Sequence, residues 1–260
     1  MIFPRIIRRG DRLLLTFTAA FLAAAGTHSI GAHAQGTMNE TSPYTSDVRI
    51  ESRFASSDVP LDGNLDKPFW KRAGWVRFHH DMTGRHNYPQ SETRVAARWT
   101  ATHIYFAFRC HYSELNFFEG EDPEKERWEL WTRDVAEVFI NPQPEQVPHY
   151  YEFEVAPNNQ WLDLEIDKTK TPFNDASWDS RFEHTARIDA KKNEWTCEMR
   201  IPVASMGVQA VPKGGEWRVN FYRADGHGEI FERRLMSWST ILEGNTFHVP
   251  TRFGIIRFIE

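Results

Sequence analysis

Cysteine is scarce in this sequence: Cys110 and Cys197 are the only two among 260 residues. A scaffold held by several disulfides is excluded, because such frameworks need about four cysteines or more. Both cysteines stand in apolar, strand-like runs, so one bridge and two free core thiols are both open alternatives. The eleven histidines are scattered, and the sequence has no close Cys/His spacing typical of a zinc site.

Apolar runs long enough to span a membrane are also missing. Residues 13–25 (LLLTFTAAFLAAA) form an apolar run that is shorter than the roughly 20 residues needed to cross a bilayer. The run follows the arginine-rich residues 5–12 and precedes a small-x-small triplet at residues 32–34, which is the pattern of a secretory signal peptide. We expect residues 1–34 to be a cleaved signal, and the protein to be exported to the periplasm or the medium. An uncleaved membrane anchor is the alternative.

An excess of positive charge is absent from the rest of the chain. Residues 1–34 contain four arginines and one aspartate, a net charge of +3, so the remaining 226 residues (260 − 34) carry −8 (−5 − 3). This acidic balance argues against a nucleic-acid partner, which requires a basic surface. We expect a flexible polar leader at residues 35–46 and a single domain at residues 47–260. Without a second apolar run, we expect no membrane contact after the signal is removed.

A long helical period is absent as well, and short β-like runs separated by turns rich in Asn and Gly take its place. This pattern predicts an all-β fold, an antiparallel β-sandwich of immunoglobulin-like architecture with few short helices, near residues 66–70 and 203–207. The predicted strands are residues 93–100, 103–110, 133–141, 149–157, 160–167, 184–189, 194–203, 216–224 and 252–259.

Aromatic residues are abundant: ten Trp, nineteen Phe and seven Tyr. Most of them belong in a core, because aromatic side chains bury the largest apolar area per residue. Strand alternation, however, places Trp131 and Glu137 together on an outward face. The same alternation assigns Glu152, Glu154 and Arg223 to outward positions. Aromatic rings beside carboxylates and arginine are typical of a sugar site, and a polar face open to solvent is the alternative.

Two further carboxylates are assigned outward by the same rule. Leu162, Leu164 and Ile166 alternate with Asp163 and Glu165, so we expect the apolar three to point into the core. Together with the glutamates named above, these acids offer a pair about 5–10 Å apart, as glycoside hydrolysis requires. A hydrolase acting on O-glycosyl bonds is therefore one functional alternative.

Eight segments of the sequence carry a resemblance to a known family. They are LDGNLDKPFWKRA, TRVAARWTATHIYFAFRC, WTRDVAEVFINP, YYEFEVAPNNQWLDLEID, WTCEMRIPVASM, WRVNFYRAD, MSWS and FHVPTRFGIIRF. Taken in this order, they resemble the family 9 carbohydrate-binding modules and the wider DOMON-like group of β-sandwiches. The resemblance covers about residues 48–258, and it rests on the order of the segments rather than on any single one.

The resemblance implies a sandwich whose concave face binds a sugar between two stacked tryptophans, with charged or amide side chains on the hydroxyls. Trp131 matches the first tryptophan, and Glu137 matches a hydroxyl-binding glutamate on the same strand. Glu152 and Glu154 stand where the family has polar ligands, although there they are a glutamine and an arginine. Phe247 stands at the second stacking position and offers a smaller surface than tryptophan.

On this basis we expect an exported protein that holds a mono-, oligo- or polysaccharide non-covalently, serves polysaccharide catabolism and works beside a separate catalytic protein. The resemblance also implies structural calcium, without assigning its ligands. The loop at residues 62–66 lacks the bidentate glutamate of a calcium loop, so we expect a capped turn there. Some DOMON-like relatives bind haem, which makes a haem-binding redox accessory domain the other functional alternative.

Overall fold

The computed structural model describes residues 42–260 except residues 121, 124, 230, 231 and 243. The predicted signal peptide, residues 1–34, lies outside this part of the chain. Among the residues described, no helix is both long enough and apolar enough to cross a membrane.

The predicted leader, residues 35–46, reaches into the described part, and there it is packed. Tyr44 and Ser46 are both buried. The Arg218 guanidinium lies 4.1 Å from the centre of the Tyr44 ring. The Ser46 hydroxyl oxygen lies 2.6 Å from that of Ser239. Tyr44 and Ser46 thus contact residues of the domain that follows.

Strands make up nearly all of the regular structure, which confirms the prediction of an all-β chain with few short helices. Helix α1 (Pro68–Lys71) and 3-10 turns at Pro89–Ser91, Leu130–Thr132, Val203–Met206 and Pro250–Arg252 are the helical elements of the described residues. The strands there are β1 (Arg49–Phe54), β2 (Trp75–Phe78), β3 (Thr93–Trp99), β4 (His103–His111), β5 (Val135–Asn141), β6 (His149–Val155), β7 (Trp161–Asp167), β8 (Asn174–Asp175), β9 (Glu183–Asp189), β10 (Glu194–Pro202), β11 (Glu216–Asp225), β12 (Arg234–Ser237) and β13 (Gly254–Ile259). All nine predicted strands are present, with ends shifted by at most two residues.

The strands form one hydrogen-bonded network in the order β8-β7-β6-β5-β11-β13-β1-β3-β4-β10-β9, with β12 paired to β11 and β2 paired to β3. The network curls into two layers. Side chains of β3, β4 and β10 in one layer pack against those of β5, β6 and β11 in the other. The Phe221 ring centre, for example, lies 5.5 Å from that of Phe106 and 5.9 Å from that of Phe108. We call this interior between the layers the sandwich core.

The prediction of a purely antiparallel sheet is wrong at β1. This strand lies between β13 and β3 and runs parallel to both, so it joins the two layers. Strands linked by a hairpin are antiparallel, but no hairpin links β1 to either neighbour. Its direction is set by packing, which residue alternation does not encode.

The layer formed by β5, β6, β7 and β11 is buried on both of its faces. All seven residues of β5 and six of the seven in β6 are buried. One face meets the sandwich core, and the other is covered by chain segments that bring Leu130, Ile241 and Phe253 against it. We call this second face the covered face. A polar side chain on it is removed from bulk water.

The two cysteines lie in the sandwich core on the adjacent antiparallel strands β4 and β10. Cys110 is opposite Trp195 and Cys197 is opposite Phe108, so the two cysteines are offset by two residues. Both are buried free thiols. Burial raises the pKa of the Cys110 thiol to about 11, which suppresses formation of the reactive thiolate.

A buried carboxylate fixes the loop before α1. Glu198 of β10 is fully buried and accepts hydrogen bonds from Trp70 Nε1 at 2.6 Å and from Lys67 Nζ at 3.0 Å. The backbone N–H groups of Asp62 and the next residue donate to it as well. Asp62 in turn accepts from the backbone N–H of Asn64 at 2.9 Å. The loop is thus the capped turn that was predicted, and the Lys67 ammonium is the cation bound by its oxygens.

Replacing Glu198 with alanine should destabilise the protein by about 3–5 kcal/mol, because the Lys67 ammonium loses its buried counter-charge. Urea unfolding followed by tryptophan fluorescence measures the effect as a lower midpoint. Glu183→Ala is the matched control: that glutamate is exposed and pairs with Arg200 at the surface, so its loss should cost less than about 1 kcal/mol. Equal losses for the two variants would contradict this account.

Candidate functional site

The covered face contains a cavity of about 240 Å³. Side chains from β5, β6 and β7 form its floor, and segments outside these strands form its walls. The lining residues are Trp131, Glu137, Phe139, Glu152, Leu164, Phe173, Asn174, Leu235, Asn245, Thr246, Phe247 and His248.

Three glutamates meet at the floor, and we call them the glutamate triad. Glu137 of β5 is opposite Glu154 of β6, and Glu152 precedes Glu154 by two residues, which keeps it on the same face. One carboxylate oxygen from each lies within 4.8 Å of the other two. Glu137 is 1%, Glu152 3% and Glu154 0% exposed. The first two line the cavity, and Glu154 lies next to them, outside its lining.

The triad has too few hydrogen-bond donors around it. Apart from a hydrogen bond that the Glu152 and Glu154 carboxyl groups can share, Oε1 of Glu137, Oε2 of Glu152 and both carboxylate oxygens of Glu154 have no partner among the described residues. Burial penalises the ionised form and raises the pKa of Glu152 to about 7. Burial, followed by the neighbouring glutamate charges, raises the pKa of Glu137 and of Glu154 well above the ordinary range. At neutral pH the triad therefore retains protons that exposed carboxylates release.

Two aromatic side chains of the cavity wall, Phe247 and Trp131, are held by different ring contacts. The Phe247 ring stacks on Tyr222 with centres 4.2 Å apart and planes at 14°. The Tyr222 hydroxyl also donates to the Phe247 carbonyl oxygen at 2.8 Å. Trp131 packs edge-on against Trp128, with ring centres 5.0 Å apart. Trp131 and Phe247 are both half-buried, so each keeps part of its surface free.

Backbone contacts hold Trp131 in place. The buried Arg233 donates from Nη1 to the Trp131 carbonyl at 2.9 Å and from Nε to the Gly226 carbonyl at 2.8 Å. The Gly226 N–H donates to Asp134 Oδ1 at 2.7 Å. Gly226 has a φ of 91°, and a Cβ there would lie 2.8 Å from the Arg234 guanidinium, so the turn requires glycine. Trp131 is therefore tied to the turn that follows β11.

His248 lies between the wall and the floor. Its Nδ1 is 2.8 Å from the Tyr150 hydroxyl, and its Nε2 is 4.0 Å from Glu152 Oε2. Burial lowers the pKa of His248 to about 4, so the imidazole is neutral at pH 7 and brings no positive charge to Glu152. The charge of Arg233 lowers the pKa of Glu137, but burial outweighs it.

The three glutamates of the triad lie close enough together to share a metal ion. Calcium takes six to eight oxygen ligands. The other lining residues with possible ligand atoms are Asn174, Asn245, Thr246 and His248, so the lining supplies no further carboxylate beside the triad. Structural calcium stays an expectation of the resemblance, without an assigned set of ligands.

The structure brings five of the six predicted site residues together. Trp131, Glu137, Glu152 and Phe247 line the cavity, and Glu154 completes the triad beside it. Three of these come from strands whose register places them on one face, and the two aromatic residues come from segments outside the strands.

The prediction that Arg223 shares the face of Glu137 is wrong. In β11 the residue opposite Glu137 is Tyr222, whereas Arg223 is opposite Ala136 and points into the sandwich core. There Arg223 is fully buried, and its Nη2 contacts Asp225 Oδ1 at 2.5 Å. A charged side chain was assigned outward, but a buried ion pair allows it to lie inside.

The predicted orientation of β7 is also wrong. Leu162 and Leu164 are opposite two glutamates of the triad, and Ile166 shares their face, so these three side chains lie on the covered face. Asp163 and Glu165 consequently lie on the opposite face, away from the triad. The alternation itself was predicted correctly. The rule that apolar residues point to the core fails here because both faces are buried.

Among the lining or supporting residues that the sequence reasoning missed are Phe139, Tyr222, His248 and Arg233. Phe139 follows Glu137 by two residues and Tyr222 alternates with Arg223, so strand parity could have identified both once the outward strand face was known to be covered. His248 follows Phe247 directly. No sequence pattern identifies Arg233 as part of the site, because it lies in a turn and contacts Trp131 only through the backbone carbonyl oxygen.

Comparisons with known proteins agree with this architecture. The family model for carbohydrate family 9 binding domain-like proteins matches residues 61–260. A protein of Arthroderma benhamiae described as an extracellular protein is 23% identical over 194 residues, which cover 71% of this chain and 85% of that protein.

Solved structures share the fold at low sequence identity. A candidate carbohydrate-binding protein from Bacteroides uniformis has a TM-score of 0.65 and 16% identity, covering 82% of this chain and 100% of its own. A family 9 carbohydrate-binding module from Caldicellulosiruptor kristjanssonii in complex with cellotriose has a TM-score of 0.59 and 16% identity, covering 82% and 94%. The glucose complex from the same organism has a TM-score of 0.56 and 16% identity, covering 81% and 95%.

The raised pKa of Glu152 should make stability depend on pH. Between its unfolded value of 4.5 and its folded value of about 7, the folded protein keeps a proton that the unfolded chain releases. The free energy of unfolding therefore falls as pH rises through this window. The pKa values of Glu137 and Glu154 are raised as well, so Glu152→Gln should reduce that fall without abolishing it, and should stabilise the protein at pH 8 by up to about 3 kcal/mol.

Urea unfolding at intervals from pH 4.5 to 8 measures this effect. Glu183→Gln, at an exposed position, is the control and should leave the wild-type slope unchanged. If Glu152→Gln retained the full wild-type slope, the proton would reside elsewhere.

Proposed function

The chain belongs to the carbohydrate family 9 binding domain-like family, and from this we propose that its covered-face cavity holds a single sugar unit without covalent chemistry. The observation that carries the proposal is the pairing of Trp131 and Phe247 with a carboxylate floor in one cavity. Aromatic rings suit the C–H faces of a sugar, and carboxylates suit its hydroxyls. The volume of about 240 Å³ is below the range typical of drug-sized ligands, which favours one ring over several.

In this proposal the sugar ring packs on Trp131 and Phe247. Glu137 and Glu152 contact its hydroxyl groups from the floor. A protonated carboxyl donates a hydrogen bond and an ionised one accepts it, so a partly protonated triad can serve both sides of a hydroxyl. The bound sugar would supply partners for the carboxylate oxygens that have none in the described residues.

Export and a role in polysaccharide catabolism are part of the same proposal. The signal-like pattern at residues 1–34 supports export, and the Arthroderma benhamiae relative is described as an extracellular protein. The neighbours in complex with cellotriose and glucose support a saccharide ligand. A separate catalytic protein as partner and kinship with the DOMON-like group are parts of the proposal that rest on the sequence resemblance.

The arrangement of carboxylates favours binding over glycoside hydrolysis. Two catalytic carboxylates flank the scissile bond at about 5–10 Å from each other. The triad oxygens instead lie within 4.8 Å of one another on one floor. Asp163 and Glu165, the other acids considered for that role, face away from the cavity.

Trp131→Ala should weaken sugar binding at least about tenfold, because the loss of one aromatic contact of about 1.5 kcal/mol corresponds to that factor. Isothermal titration calorimetry with glucose and cellotriose, preceded by a glycan array to include other sugars, measures the change. Trp75→Ala is the matched control, since Trp75 is an exposed tryptophan of β2 outside the cavity lining.

Two outcomes would count against the proposal. Wild-type protein that binds no sugar on the array would remove the function itself. Equal binding by the Trp131→Ala, Trp75→Ala and wild-type proteins would place the sugar away from the cavity.

A further inference from the structure

The glutamate triad has the dimensions of a three-point receptor for a small cation. Its three carboxylate oxygens lie within 4.8 Å of one another. In an equilateral arrangement this upper limit puts the central point at most about 2.8 Å from each oxygen, within reach of charge-assisted N–H···O bonds. A primary ammonium has three N–H donors, one for each carboxylate.

The triad also lacks a positive charge of its own. The positive charge that acts on Glu137 is that of Arg233. The guanidinium of Arg233 is engaged elsewhere, since it donates hydrogen bonds to the backbone carbonyls of Trp131 and Gly226. His248, the basic residue nearest Glu152, is neutral at pH 7. Apart from a hydrogen bond that the Glu152 and Glu154 carboxyl groups can share, four buried carboxylate oxygens, distributed over all three glutamates, have no hydrogen-bond donor among the described residues. These orphaned oxygens are an observation separate from the clustering itself, and they indicate a ligand that donates.

The walls distinguish an organic cation from a metal ion. A divalent ion at the triad would need further oxygen ligands or water on its cavity side. That side presents the aromatic rings of Trp131 and Phe247 beside the neutral polar side chains of Asn174, Asn245, Thr246 and His248, and it adds no further carboxylate. An amino sugar fits both the floor and the walls of the cavity. Its ammonium donates hydrogen bonds to the carboxylates of the floor, while its ring packs on the aromatic side chains of the walls. Aromatic faces also attract a cation directly.

We propose that the sugar recognised in this cavity is an amino sugar, whose ammonium group is bound between Glu137, Glu152 and Glu154. This inference rests on the proposed function and narrows it to one class of ligand. Glu137 and Glu152 contact the ammonium from the cavity lining, and Glu154, one of whose oxygens lies within 4.8 Å of theirs, is the third acceptor. The proposal distinguishes amino sugars both from neutral hexoses and from N-acetylated sugars, because acetylation removes the positive charge and two of the three donors.

Calorimetric titration of the wild-type protein tests the proposal. The amino ligands are D-glucosamine, D-galactosamine and deacetylated chito-oligosaccharides. Their uncharged counterparts are D-glucose, D-galactose, N-acetylglucosamine and cello-oligosaccharides. Calcium chloride is titrated alone, and the amino sugars are titrated again in its presence. We expect an amino sugar to bind at least tenfold more tightly than its hydroxyl and N-acetyl counterparts, and calcium to leave amino-sugar binding unchanged.

Glu154→Gln supplies the matched variant, because a glutamine cannot ionise to balance the ammonium and the substitution leaves the cavity lining unaltered. The ratio of amino-sugar affinity to neutral-sugar affinity should fall at least fivefold in this variant. Glu165→Gln, on the opposite face of the neighbouring strand, is the control and should retain the wild-type ratio. Should Glu154→Gln fail to fold, the wild-type selectivity between charged and uncharged sugars still decides the matter.

The outcomes separate this inference from the function on which it rests. Neutral sugars that bind as tightly as amino sugars would overturn the ammonium assignment and leave sugar binding intact. Calcium that binds and displaces the amino sugar would assign the triad to a metal ion and likewise overturn it. Absence of binding by every sugar would overturn both proposals.

Discussion

Burial of both faces of one β-layer is the constraint on which the rest of the site depends. Strand alternation sends Glu137, Glu152 and Glu154 to the covered face whatever lies above it. The segments around Leu130 and Phe253 then close over that face and exclude water. The cavity is the space that these segments leave unfilled. Strand register therefore sets its floor, loop packing sets its walls, and exclusion of water sets the protonation of the floor.

Two buried glutamates, Glu198 and Glu154, differ in the hydrogen-bond donors that surround them. Glu198 is fully buried, yet its carboxylate accepts from Trp70, Lys67 and two backbone N–H groups, so it stabilises the loop before α1. Glu154 is equally buried, and apart from the carboxyl group of Glu152 neither of its oxygens has a donor among the described residues. Such a group opposes folding. A structural role explains the first glutamate, whereas the second has a physical reason to be there only if a ligand supplies the missing partner.

Much of the fold could be predicted from the sequence, because short alternating runs and turn residues define strands locally. Strand parity was also right throughout β5, β6, β7 and β11. Parity tells which residues share a face but not what covers that face, and this is why Leu162 and Arg223 were placed on the wrong sides. The parallel direction of β1 has the same origin, since long-range packing determines it. The narrower likeness to DOMON-like sandwiches remains a prediction.

The division between a strand-borne floor and loop-borne walls bears on which part of the site selects the ligand. Phe247 offers less stacking area than a tryptophan, but its ring is held by Tyr222 through stacking and its carbonyl by a hydrogen bond. A preorganised ring loses little freedom on binding, which offsets part of the smaller area. Stacking discriminates weakly among sugars, because most of them present a similar C–H face. Discrimination must then come from the floor, where charge and donor geometry are fixed by the register of two paired strands.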